Sequence, residues 1–306
     1  MRMSGKQHLN EIIMIRVLRV FSHHLAVISV PVLLLLSACA NPEKQNKKGV
    51  SVGGDSMRVR FSNQYGSESV ELLGVNIARS EGNGSIDTTT DSLLTFGGKK
   101  AVSIDPGMSA TSDPFRFVLK PLTQIAITIY FGRVPSDLTG HPGSRTISFM
   151  LPGDHISALS FPGSFTSKHW YIIDSIDVFA SESAAAVVVL GNSITDGRGS
   201  GTNRQNRWPD ELANRLQNDR NTRFVAVLNA GIGGNCVLRD CLGPAALSRF
   251  ERDVIGATGA HWLIILEGIN DIGQTKNALD AAKVADELIA AYNRMIISAH
   301  AAGIRV

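Results

Sequence analysis

Three short turns hold the residues of this chain best suited to chemistry: Gly191-Asn192-Ser193-Ile194-Thr195-Asp196-Gly197, Gly231-Ile232-Gly233-Gly234-Asn235 and Gly268-Ile269-Asn270-Asp271. Ser193 supplies a hydroxyl. Hydrolysis of an ester needs such a nucleophile, together with donors aimed at the oxyanion that forms on attack. Glycines at 233 and 234 let the backbone come close and present its N–H groups, because no Cβ intervenes. Asn270 adds a side-chain amide. The candidate donors are the N–H groups of Ser193 and Gly234 and the carboxamide of Asn270. A lone serine after a strand serves equally well as a helix cap or turn residue; only the three turns together point to ester chemistry.

The elements that must position these turns alternate between two periodicities. Apolar runs at 185–190, 224–228 and 263–266 read as buried strands, and 304–306 begins a fourth. Between them Trp208, Leu212 and Leu216 fall at helical spacing, with Pro209 suited to a first turn. Leu247, Phe250 and Val254 mark a second helix, and Val284, Leu288, Tyr292 and Met295 a long third, with Gly303 as its stop. Alternating strands and helices predict a parallel sheet with right-handed crossovers. Such sheets bind ligands beyond the carboxyl ends of their strands, where all three turns fall.

Residues 51–180 follow a different pattern. Met57, Val59 and Phe61 alternate with Arg58 and Arg60, and Ile125, Ile127, Ile129 and Phe131 with Ala126, Thr128 and Tyr130. Clusters such as Glu81-Gly82-Asn83-Gly84, Asp105-Pro106-Gly107 and Pro152-Gly153-Asp154 separate the runs. Short alternating strands at this spacing predict an all-β sandwich or jelly roll.

Gly-Asn-Ser-Ile-Thr-Asp-Gly from Gly191, Asn-Ala-Gly-Ile-Gly-Gly-Asn from Asn229 and Gly-Ile-Asn-Asp from Gly268 resemble the first three blocks of the SGNH (GDSL-type) hydrolases. The resemblance covers about residues 185–306 and implies a flavodoxin-like α/β/α esterase domain. It makes Ser193 the nucleophile, Gly234 the second-block oxyanion glycine and Asn270 the third-block oxyanion asparagine. Trp208-Pro209 looks like the family's opening of the first helix. Pro-Gly-Asp-His at 152–155 and Trp170-Tyr171 look like the accessory domain of two-domain members, several of which are similar to carbohydrate esterases that remove acetyl groups. Asn192 stands where the family usually has aspartate; asparagine keeps the shape and one acceptor and loses the charge.

The family's general-base histidine, with an aspartate three residues before it, lies in a fourth block that these 306 residues do not contain. The hydrolase sheet is therefore expected to be incomplete. The protein is expected to be truncated at its C-terminal end and inactive by itself, since a serine hydroxyl without a base is a poor nucleophile. His261 and His300 fall at the amino side of strands, the wrong end of the sheet. His141, His155 and His169 read as turn or interdomain residues, with His155 the one placed nearest the crevice. Gly191–Gly197 is no phosphate loop, because no Gly-Lys-Ser/Thr follows, and the second turn has Cys236 where a dinucleotide fingerprint has its last glycine. Asp271 lacks companions for a metal site, and Asp196, Asp210 and Glu211 read as turn and first-turn helix charges. No cofactor and no metal are expected.

The N-terminus reads as a targeting segment. Arg16 and Arg19 precede an apolar stretch at 25–36 that ends in Leu36-Ser37-Ala38-Cys39. This also resembles the lipobox of bacterial lipoproteins, in which the cysteine is lipidated. Residues 1–39 are thus expected to be a lipoprotein-type signal peptide and 40–50 a polar linker, and Ala40 after the cysteine favours the outer membrane. Residues 1–48 hold seven Lys/Arg and two Asp/Glu, so the remaining 23 Lys/Arg face 25 Asp/Glu, and no nucleic-acid surface is indicated. Cys236 and Cys241 are free to form a disulfide in an exported protein or to remain thiols.

Two function classes follow. One is an exported, lipid-anchored ester hydrolase, periplasmic or at the cell surface, acting on an acyl ester such as an acetylated carbohydrate, or as a lipase or lysophospholipase. The other is a non-catalytic glycan-binding surface lipoprotein with a degenerate hydrolase domain.

Overall fold

The computed structural model of the protein describes residues 13–17, 51–181 and 183–306. Cys39, the apolar stretch 25–36 and the linker 40–50 lie outside the described residues. In sequence order the strands of the first region are β1 (Ile13–Val17), β2 (Gly54–Ser62), β3 (Val70–Gly82), β4 (Ser85–Leu93), β5 (Val102–Ile104), β6 (Ser109–Thr111), β7 (Phe115–Leu119), β8 (Ile125–Phe131), β9 (Gly140–His141), β10 (Ser148–Pro152), β11 (Phe165–Ser167), β12 (Trp170–Tyr171) and β13 (Ile173–Phe179). All pairings among them are antiparallel. One sheet runs β11-β10-β1-β8-β3-β4 with β5 on β3; a second runs β13-β2-β6 with β7 on β2; β9 and β12 form a separate pair. Period-2 patterning sends Met57, Val59 and Phe61 of β2 and Ile125, Ile127 and Ile129 of β8 into one apolar core.

The second region begins with β14 (Ala185–Gly191), α1 (Ser193–Asp196) and α2 (Trp208–Asn218). It continues through β15 (Val225–Gly231), α3 (Ala246–Phe250), β16 (Ala260–Leu266), α4 (Ile269–Ile272) and α5 (Ala278–Ala301). Its sheet is parallel in the order β15-β14-β16, the 2-1-3 order in which flavodoxin-like sheets begin. Both faces of β14 and of the 225–228 run of β15 are covered, so those stretches are apolar, whereas β16 leaves His261, Ile264 and Leu266 exposed. Val187, Val189, Val225 and Val227 pack against Trp208, Leu212 and Leu216 of α2. Ala186, Val188 and Leu190 belong to the opposite core with Phe250, Val254, Leu288 and Met295. Asp210 accepts from the Arg207 N–H at 2.9 Å and closes a capping box at the start of α2. After α5 the backbone turns at Gly303, and Arg305 bridges in parallel to Trp262, beginning a further strand beside β16.

Candidate active site

The parallel register brings the three turns to one rim. Gly191 ends β14 opposite Gly231 of β15 on one side and Leu266 of β16 on the other. Ser193 therefore opens α1 at the carboxyl edge of the central strand, and its N–H lies in a first turn, where no intrahelical acceptor exists. Asn192 caps this helix: it is buried and its Oδ1 accepts from the Ile194 N–H at 3.0 Å. The acceptor expected of an asparagine at this position is thus in use.

The second turn lies against the first. The Ile232 N–H donates to the Gly191 carbonyl at 2.9 Å, and Asn229 Nδ2 donates to the Thr195 carbonyl at 2.9 Å. A Cβ at Gly231 would drive into the backbone of Thr195 and Asp196, so close approach of α1 demands glycine there. Gly234 has φ +69° and a Cβ on it would meet Leu242, so its conformation and its surroundings both favour glycine. The third turn joins the second through Asn270, whose Nδ2 donates to the Asn235 carbonyl at 2.7 Å. A carboxamide nitrogen carries two hydrogens, so this bond leaves one for an oxyanion. Asp271 is fully buried and accepts from the N–H groups of Val237 and Leu238 at 2.8 and 3.1 Å. Cys236 and Cys241 form a disulfide across that loop, with Cα atoms 5.8 Å apart, and Gln274 contacts both sulfurs at 3.5 Å.

Residues 189–306 match the GDSL-like Lipase/Acylhydrolase family. Among solved structures the protein is similar to AlinE4, an SGNH-hydrolase family esterase, at 17% identity and TM-score 0.29, over 38% of this chain and 56% of that one. It thus spans little more than half of AlinE4. It is also similar to a family two carbohydrate esterase from Cellvibrio japonicus, at 13% identity and TM-score 0.30, over 82% of this chain and 68% of that one. A third similarity is to an active-site mutant of a family two carbohydrate esterase from Clostridium thermocellum, at 14% identity and TM-score 0.27, over 80% and 68% of the two chains. No match is found among curated proteins.

Behind the turns of the GDSL-like region lies a residue that sequence reasoning passed over. Arg249 of α3 is 2% exposed and spends its guanidinium on the site's scaffold. Nε and Nη2 donate to Asn235 Oδ1 at 3.1 and 2.6 Å, and Nη1 donates to the Ala230 carbonyl at 2.8 Å and to Asp253 at 3.0 Å. Nη2 also reaches the Gly191 carbonyl at 3.5 Å and stands 3.6 Å from Glu267 Oε1. Glu267 is enclosed, with its carboxyl facing the Arg249 guanidinium, the Asn192 side chain and the Gly268 N–H. Burial pushes its pKa up to about 8, against the opposing pull of the Arg249 charge. The only sequence signal was a charged residue inside the apolar pattern Leu247, Phe250, Val254.

The β region reaches the GDSL-like turns through His141, not His155. His141 Nε2 lies 2.6 Å from Asp196 Oδ1, at the end of the helix that Ser193 opens, and its ring stands edge-on to Trp170. Asp196, read as a turn charge, is 3% exposed and engaged in this pair. His155 instead contacts the Pro152 carbonyl and Phe161. His261 and His300 are exposed, His261 contacting Gly259 at the amino side of β16, as expected. Among the described residues no hydrogen bond links a histidine to Ser193. The polar loop at 198–207 is anchored to the β region at Asn203 and Arg207, while Arg198, Gly199, Arg204 and Asn206 are exposed. Its Asn203 accepts from the Ile147 N–H at 3.0 Å, and its Arg207 donates to the Ser144 carbonyl. Among the described residues no group of three or more His, Cys, Asp or Glu could hold a metal ion, and no helix is long and apolar enough to cross a membrane.

Proposed function

We propose that this protein provides the nucleophile and the oxyanion site of a serine ester hydrolase. Ser193 attacks an acyl carbonyl; the N–H groups of Ser193 and Gly234 and the side chain of Asn270 hold the oxyanion. One observation carries this: the Ile232-to-Gly191 and Asn270-to-Asn235 bonds tie the three motif turns together at one sheet rim. The base that takes the serine proton is, in this reading, a histidine with an aspartate three residues before it, supplied by a segment outside these residues.

The favoured substrate is an acetylated or otherwise acylated carbohydrate, presented between the rim and an accessory β-sandwich at 51–180; a lipid ester is the alternative. In this reading Cys39 is lipidated and tethers the exported protein to the outer membrane, and the cleavage before it would remove β1 from between β8 and β10. Radiolabelled palmitate incorporation that is lost in Cys39→Ala checks the anchor. For the chemistry, a fluorophosphonate probe is expected to label Ser193 when the proposed base is supplied and to fail with Ser193→Ala. Labelling that persists in that variant removes the assignment. Asn192 in place of the usual aspartate favours a second reading, a glycan-binding surface protein on a degenerate hydrolase domain. Binding of acetylated oligosaccharide without any labelling of Ser193 decides for it.

A further inference from the structure

We propose that Arg249 is the positioning residue of this site, a buried guanidinium that sets the three motif turns against one another, with Glu267 as its enclosed partner. This rests on the esterase reading, but only its kinetic arm does.

A guanidinium offers five N–H donors in a rigid plane. Those of Arg249 go to the last residues of β14 and β15, to the glycine turn and to Asp253. Gly191 immediately precedes Asn192 and Ser193. Ala230 immediately precedes the glycine turn. Asn235 closes that turn, and its backbone carbonyl is the acceptor that holds Asn270. Glu267 immediately precedes Gly268, where the third turn begins. One side chain therefore touches the approach to every proposed oxyanion donor and none of the donors themselves. Its burial keeps it from any substrate, so it acts through geometry.

Asp253, one helical turn after Arg249, shares Nη1 with the Ala230 carbonyl, while Nε and Nη2 reach Asn235 and Gly191. Lysine cannot reproduce this, because a single ammonium cannot reach Asn235, Ala230 and Gly191 at once. Methionine fills the space without any donor.

Two measurements test this on Arg249→Lys, Arg249→Met and Glu267→Gln. The first is amide hydrogen exchange of the 306-residue protein. In both Arg249 variants the amides of Ile232 and Asn235 are expected to exchange about 10-fold faster or more, while strands β3 and β8 keep their protection. Unchanged exchange at Ile232 and Asn235, or a uniform loss across all strands, overturns the proposal. The second is hydrolysis of p-nitrophenyl acetate by a protein that also carries the proposed histidine–aspartate segment. In Arg249→Lys, kcat is expected to fall on the order of 100-fold with KM changed by less than about threefold. Glu267→Gln, which keeps the shape of the neutral, protonated carboxyl, is expected to retain most of kcat. Equal losses in kcat and stability with KM rising in parallel would mean a merely structural arginine. Absence of hydrolysis in the unsubstituted protein sinks the esterase reading alone, and the exchange result still decides the role of Arg249.

Discussion

In the proposed mechanism Asn270 does two things with one amide nitrogen. One hydrogen holds the Asn235 carbonyl, and the other meets the charge that develops only on attack. With the proposed base supplied, Asn270→Ala should therefore lower kcat by about 100- to 1,000-fold with little change in KM, measured with p-nitrophenyl acetate; a change confined to KM would deny it an oxyanion role. Asn192 acts before any substrate arrives. Its Oδ1 caps the helix that Ser193 opens, and Asn192→Ala should cost about 1 kcal/mol in chemical denaturation. Glu267 makes stability depend on pH. Its pKa in the fold is raised to about 8, so the folded state retains a proton that the unfolded state releases near the ordinary carboxyl range. Stability is then fully present below that range and is lost as pH rises towards 8, by on the order of a few kcal/mol. Glu267→Gln should flatten this slope in denaturation curves taken between pH 4 and 9. A slope as steep in the variant as in the parent would show that another group is responsible.

Among the elements, the loop between β15 and α3 carries the most constraint for its length. A disulfide closes it from Cys236 to Cys241, and Asp271, next to Asn270, holds two of its N–H groups. On the chain-entropy account, so short a loop contributes about 2 kcal/mol. Replacing both cysteines by serine should lower unfolding free energy by that amount in urea titration, and a loss near zero would mean that the Asp271 bonds alone order the loop. The strands and helices around this loop were legible from their apolar period, since a strand buried on both faces and a helix buried on one leave different patterns. Their ends were not. Strand β15 extends through Asn229 to Gly231, beyond the apolar run, because pairing to β14 continues through a polar residue and a glycine that carry no apolar signal. Arg249 was hidden for a related reason. It lies on the buried face of α3, and a lone charge in an apolar pattern does not reveal whom it pairs with.

At the scale of the molecule, the β region touches the helix that bears the proposed nucleophile. His141 meets Asp196, and the Arg145 side chain donates to the Gly197 carbonyl at 3.1 Å. Removing His141 takes one hydrogen bond from the buried Asp196, which the Arg207 charge still faces, a loss of about 1–3 kcal/mol. His141→Ala should lower stability by roughly that amount and speed proteolytic cleavage in the segment 198–207, whereas His141→Gln should recover part of it. Identical melting and cleavage in His141→Ala would show that the two regions are joined by other contacts.

Residue types and their linear order already contained the hydroxyl, the glycine turn, the carboxamide and the parallel strands that end in them, because strand periodicity and glycine permissiveness are local properties. The three motif blocks were likewise legible, and they mark the same stretch that the family match covers. Folding in three dimensions alone decided that the turns are tied to one another, that Arg249 and Glu267 lie behind them, and that His141 rather than His155 reaches Asp196. Each of those contacts joins residues far apart in the sequence, and such distances close only when whole elements pack.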